Sequence, residues 1–217
     1  VTELVRGDDG LLRPGWASVH ADLREYYDHE WGVPVRSESG VFERLALEGF
    51  QSGLSWATIL RRREGFRAAF AGFDVDVVAA MGPADVERLL ADPGIIRHRG
   101  KIEATLRNAR AAVALREKGD LGPGGALGPG ASIADLVWAH RPERTPLPRT
   151  LAEVPTRSAE SVALAKELKS LGFSFVGPTT MFALMEAIGI VDTHLVGSHR
   201  RGCSGLWNAD GSPHDVT

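Results

Sequence analysis

Apolar residues recur at a spacing near 3.6 over most of the chain, so the sequence reads as a succession of helices. Val41 to Gln51 and Ser55 to Phe70 carry that spacing, and Ser55 is placed to cap the second of these segments. Shorter helices are predicted in "DVDVVAAM" after Asp74 and in "GPADVERLL", where Pro83 suits a first helical turn. "ADPGII" interrupts the pattern. "RGKIEATLRNARAAVALREKG" then reads as a long amphipathic helix with Ile102, Leu106, Ala109 and Val113 on one stripe. The Gly/Pro-rich stretch "DLGPGGALGPG", residues 120–130, reads as a flexible loop, and "ASIADLVWAHRP" as a short helix carrying Trp138. "SAESVALAKELKSLG" follows an extended proline-containing stretch, with Thr156 or Ser158 as its cap. No segment reads as a strand, and no solenoid repeat is present. The expected fold class is all-α: a single domain over residues 13–198, with flexible ends at 1–12 and 199–217.

Composition adds exclusions. The 217 residues suffice for one sizeable core, and the hydrophobic and charged fractions of 43% and 24% are those of a globular protein. No apolar run suggests a membrane span, and "VTELVRGDDGLLRPGW" does not read as a signal peptide, which points to the cytoplasm. The single Cys203 excludes an internal disulfide, a four-thiolate zinc site and a four-cysteine iron–sulfur cluster. A formal charge of −3 carries no global nucleic-acid signature. Binding to DNA would rest on local basic patches, namely "RRR" at 61–63, "RHRGK" at 97–101 and "HRR" at 199–201.

The stretch "SLGFSFVGPTTMFALMEAIGIVDTH", residues 170–194, carries the strongest local signal. Gly172 ends one helix and Gly177 stands just before the next. The turn therefore presents backbone N–H groups at a helix N-terminus, where phosphate oxygens bind without regard to sequence. A packing corner has the same pattern.

Five motifs in order, "YYDHEWGVP", "LEGFQSGLSWATILRRREGFRAAFAGFD", "GIIRHRGKIEATLRNARA", "GFSFVGPTT" and "THLVG", resemble the DNA-3-methyladenine glycosylase I family of helix-hairpin-helix base-excision glycosylases. The resemblance runs from about Arg13 to Gly197 and implies two helical lobes flanking a base pocket. It implies an enzyme that flips N3-methyladenine out of alkylated double-stranded DNA and hydrolyses its N-glycosidic bond; one extrahelical base needs only one pocket, so a monomer is expected. Glu48 matches the pocket carboxylate, and Trp16, Tyr26 and Trp56 match its aromatic walls. A cationic base between such walls gains about 1–2 kcal/mol when desolvated. Leu23 stands where a tyrosine is common.

The same resemblance places Gln51, Gly53 and Leu54 at the gap left by the flipped nucleotide, and Val176, Gly177, Thr179 and Thr180 in the phosphate-gripping hairpin. Arg97, Arg99 and Lys101 are expected to contact phosphates. Thr179 occupies the place of the lysine in strand-cleaving relatives, which implies a monofunctional enzyme. The family's zinc ligands fall on Pro14, Tyr27, His194 and Ser198, so only a histidine survives and no cofactor or metal is expected. A substitute set would have to come from His29, His194, His199 and Cys203. Asp192, in "IVDTH", is either a second catalytic carboxylate or a helix cap. A non-catalytic damaged-DNA binder and a glycosylase for another lesion remain as alternatives.

Overall fold

The computed structural model describes residues 3–214. Among the described residues ten α-helices make up the body: α1 (Ala21–His29), α2 (Glu38–Gln51), α3 (Trp56–Leu60), α4 (Arg63–Ala69), α5 (Val75–Ala80), α6 (Pro83–Ala91), α7 (Arg99–Leu115), α8 (Ile133–Ala139), α9 (Ala159–Ser170) and α10 (Pro178–Ala187). Their starts follow local chemistry. Ser37, Ser55, Asp74, Ser132 and Ser158 each accept a backbone N–H of the first turn through the side chain, and Pro83 and Pro178 open α6 and α10.

Helix α2 is the axis of the molecule, packing against α3, α5, α7, α8 and α10. One apolar core runs from Val41 to Val191, and the predicted stripe of α7 enters it through Ile102, Leu106 and Ala109. Burial of such a stripe on the order of 25 cal/mol per Å² is what fixes α7 across the structure. The segment expected as one helix from Ser55 to Phe70 is two, because the chain turns at Arg61 and Arg62 so that Ile59 and Phe66 both reach the core. Helix α1 was not marked by the apolar spacing.

Three further expectations are corrected. A two-stranded antiparallel ribbon, β1 (Leu4–Arg6) and β2 (Leu12–Pro14), precedes the helices, and buried Arg13 holds it to Asp9 and Asp28. The loop 120–130 is pinned, since Leu121 bridges Leu127 and the Gly122 N–H donates to Glu167 Oε1 at 2.7 Å. The end of the chain to residue 214 is folded onto the domain: Trp207 is only 2% exposed under the Arg141 guanidinium, and Thr145 N–H donates to Gly211 O. Of the expected flexible ends, residues 1–2 and 215–217 lie outside the described residues. Among the described residues no helix is long and apolar enough to cross a membrane.

Candidate active site

Helices α1, α2, α3 and α10 meet around a cavity of about 380 Å³. Its lining includes Trp16, Leu23, Tyr26, Trp31, Glu48, Gln51, Trp56 and Glu186. Trp16 comes from a single 3₁₀ turn after β2, Tyr26 from α1, and Trp56 from the capped start of α3. Tyr26 and Trp56 stand 5.3 Å apart at 45°, and Trp16 meets Trp31 edge-on at 5.8 Å. The four matched pocket residues therefore converge, as does Gln51. Leu23 makes one wall aliphatic where the family resemblance leads one to look for an aromatic ring.

Glu48 is 7% exposed on α2 among Leu45, Leu47 and Phe50, and the helix's other buried carboxylate, Glu43, is paired with Arg44 and Arg67. The Glu48 carboxylate has no hydrogen bond or ion pair to the protein among the described residues. Burial, reinforced by the Glu186 charge, raises its pKa to about 8. Glu186, on α10, is the residue that the sequence analysis missed. Its Oε1 accepts from Thr193 Oγ1 at 2.5 Å, and burial raises its pKa to about 7 despite that bond. The signal was available: Glu186 interrupts the apolar run "MFALMEAIG" in the way that Glu48 interrupts its own helix. A buried carboxylate without a cation is costly. Two in one cavity are relieved of that cost by a positively charged ligand.

A second cavity of about 340 Å³ adjoins the first, sharing Trp16, Trp31, Ala183 and Glu186, and Thr179 is on its lining. The α9–α10 corner beside it has the expected shape. Gly172 is left-handed at φ 94°, and Gly177 caps α10 without a side chain, leaving the N–H groups of Thr179 and Thr180 uncapped. Phe175 also adopts a positive φ of 59° although it is not glycine, and its ring is exposed. Asn108 of α7 holds the turn from below, donating to Ser174 O at 3.0 Å and accepting from Ser174 N at 2.8 Å. Val176, expected among the DNA contacts, is wholly buried, so its side chain is a packing anchor.

Gly53 and Leu54 form the rim loop beyond α2. Gly53 has φ 82° and Leu54 is 40% exposed. Of the predicted phosphate contacts, Arg97 is exposed and Arg99 is exposed but paired with Glu87 and Glu103. Lys101 is corrected. Only 8% exposed, its Nζ donates to the carbonyls of Phe50 and Ser52 at the end of α2. A lysine committed to two carbonyls closes that helix and does not face a phosphate. The "RRR" patch is likewise consumed, with Arg61 on Asp22, Arg62 on Pro93 O and Arg63 on Glu30.

Asp192, left open between a catalytic carboxylate and a cap, has a structural place. It lines neither cavity. Its Oδ1 accepts from the His194 backbone N–H at 3.0 Å and lies 2.8 Å from His194 Nδ1, and its Oδ2 accepts from Gly202 N–H at 2.7 Å. Burial pushes its carboxyl up, but the His194 hydrogen bond and the His194 and Arg201 charges outweigh that and hold it below its ordinary value. It brackets the C-terminal segment to the domain.

The positions matching the family's zinc ligands do converge. Tyr27 Oη and Ser198 Oγ share a hydrogen bond of 2.5 Å, and the Tyr27 and His194 rings lie 5.2 Å apart. A proline, a phenol bonded to a serine and a histidine engaged by Asp192 do not fit a zinc ion, which takes thiolate and imidazole ligands. Of the substitute residues, His29 is exposed beside Glu25. No three metal-ligating side chains gather among the described residues.

The family model of the methyladenine glycosylases matches residues 16–201. The chain belongs to the methyladenine glycosylase family. It is 45% identical over 190 residues to DNA-3-methyladenine glycosylase 1 of Escherichia coli, covering 86% of this chain and 95% of that one. It is 38% identical over 183 residues to the DNA-3-methyladenine glycosylase of Haemophilus influenzae, covering 83% and 92%. A crystal structure of a 3-methyladenine DNA glycosylase I superposes with a TM-score of 0.79 at 42% identity, covering 87% of this chain and 99% of that one. The Staphylococcus aureus glycosylase, whose structure addresses 3-methyladenine recognition, superposes with a TM-score of 0.77 at 30% identity, covering 86% and 94%. The all-α architecture of this glycosylase is thus that of its relatives.

Proposed function

We propose that this protein is a monofunctional DNA glycosylase that flips N3-methyladenine out of alkylated double-stranded DNA and excises it by hydrolysis. The observation that carries the reading is the unpartnered Glu48 carboxylate inside a cavity walled by Trp16, Tyr26 and Trp56. The methylated adenine is cationic while attached to deoxyribose, so it is already an activated leaving group. Glu48 accepts hydrogen bonds from its exocyclic amine, and the aromatic faces favour the cation over neutral adenine. The C1′–N9 bond breaks with its electron pair passing to the purine, which neutralises it, while water adds at C1′ and releases a proton. Leu54 fills the gap in the duplex, and the N–H groups at the start of α10 hold a phosphate. Thr179 supplies no amine for a Schiff base, so no strand cleavage follows.

The reading includes a monomer, because one extrahelical base needs one pocket, a cytoplasmic location, and no zinc, because Pro14, Tyr27 and Ser198 supply neither thiolate nor imidazole. The test is to incubate the protein with methylated duplex DNA and identify the released bases by chromatography. Release of 3-methyladenine is expected. Its absence refutes the proposal, and equal release of 7-methylguanine points to a glycosylase of wider range.

A further inference from the structure

The base cavity contains one more acidic group than recognition of an exocyclic amine requires. Glu48 enters from α2 and Glu186 from α10, and both line the same cavity. Neither forms an ion pair among the described residues. The other titratable groups around the two cavities are Tyr26, Tyr27 and His194. The phenol of Tyr26 stays neutral because burial and the Glu48 charge push it up, and His194 is committed to Asp192. The protein therefore places two carboxyl groups on the lining of one cavity, neither with an ion-pair partner among the described residues.

We infer that Glu186 is a second specificity-determining carboxylate, which acts with Glu48 to make the pocket selective for a purine carrying a full positive charge. Like charges in one desolvated site cannot both ionise freely, so without ligand the pair retains a proton near neutral pH. A cationic base supplies the missing charge and releases that proton to solvent. Neutral adenine cannot, and must enter a pocket that stays protonated or leaves a carboxylate unpaired. Thr193 fixes the Glu186 carboxylate through Oε1, leaving Oε2 for the ligand. This rests on the proposed excision of a cationic base, but cation selectivity can be measured apart from it.

The probes are a permanently cationic purine, 3,9-dimethyladeninium, and neutral 9-methyladenine, titrated against the fluorescence of the pocket tryptophans. Base release from methylated DNA is followed across pH 5 to 9 in parallel. Glu186→Gln keeps an acceptor for Thr193 and removes only the charge. It should lower the preference for the cation roughly 10- to 100-fold. It should also shift the acid limb of kcat/KM to lower pH, because Glu48 loses its like-charged neighbour. Glu186→Asp restores a charge and should restore most of the preference. An unchanged preference and limb in Glu186→Gln would overturn the inference. So would a loss in Glu186→Asp equal to that in Glu186→Gln. Wild-type protein that prefers the cation through Glu186 but releases no 3-methyladenine supports this inference and refutes the proposed reaction.

Discussion

Lys101 Nζ donates to the carbonyl of Ser52 at 2.6 Å and to that of Phe50 at 2.8 Å, so a buried ammonium on α7 closes the C-terminal end of α2. The last carbonyls of a helix have no intrahelical partner and carry the negative end of its dipole. Lys101 supplies that partner at the point where α2 gives way to the Gly53–Leu54 rim. Lys101→Met keeps the volume and removes two charge-assisted hydrogen bonds, and it should destabilise the fold by about 2–4 kcal/mol in urea unfolding. It should leave the salt dependence of DNA binding as it was. A steep change in that dependence with unaltered stability would restore Lys101 to the phosphate contacts.

The rim itself makes a separate prediction. Leu54 projects from the loop without packing into the core, and its exposure has no use in the free protein. As a wedge it offsets the cost of unstacking, which a single strand does not incur. Leu54→Ala should therefore lower base release from duplex DNA roughly tenfold, the effect of about 1.4 kcal/mol, and change release from single-stranded DNA far less. Kinetics on both substrates decide it. Equal losses on the two would place Leu54 in the pocket instead of the rim.

The legibility of these residues in the sequence differs with their chemistry. The helix positions and caps were legible because apolar spacing and Ser or Asp starts are local signals. Glu48 was legible through the family resemblance, which matches it to the pocket carboxylate. Glu186 interrupts an apolar run, yet it became significant only when α10 was seen to pack on α2 and bring the two carboxylates into one cavity. Lys101 looked like part of a basic cluster because its burial depends on the end of α2, distant in sequence. Asp192 stayed open between a catalytic and a capping role because its neighbours Gly202 and Arg201 come from a tail that composition alone marks as unfolded.

Glu48 also links function to stability. Its pKa is raised from 4.5 to about 8 in the folded protein, so the folded state holds this proton more tightly than the unfolded one. The stabilising contribution is complete below pH 4.5 and is lost as pH rises through 8. Glu48→Gln resembles the protonated residue at every pH. Its melting temperature should match wild type near pH 5 and exceed it increasingly towards pH 9, while base release collapses. Calorimetry across that range checks the sign. A mutant less stable than wild type at pH 9 would show that the ionised carboxylate has a partner in the folded protein.

The closure of the chain ends gives the remaining test. Asp192 gathers His194, Gly202 and Arg201, while Tyr27 and Ser198 join α1 to the C-terminal segment by a buried hydrogen bond. Asp192→Asn keeps the shape but removes the charge opposite His194 and Arg201. Because its pKa is lowered on folding, its contribution is present above the unfolded value and lost as pH falls through the folded one. The mutant should lose about 3–5 kcal/mol at pH 7 yet release base at a near wild-type rate wherever it remains folded. Tyr27→Phe should cost about 1–3 kcal/mol by stranding Ser198. A chelator should leave the melting temperature of wild type and both mutants unmoved, since packing and hydrogen bonds hold this junction. Loss of activity in fully folded Asp192→Asn would return Asp192 to the reaction, and a chelator-induced drop in melting temperature would require a metal in the closure.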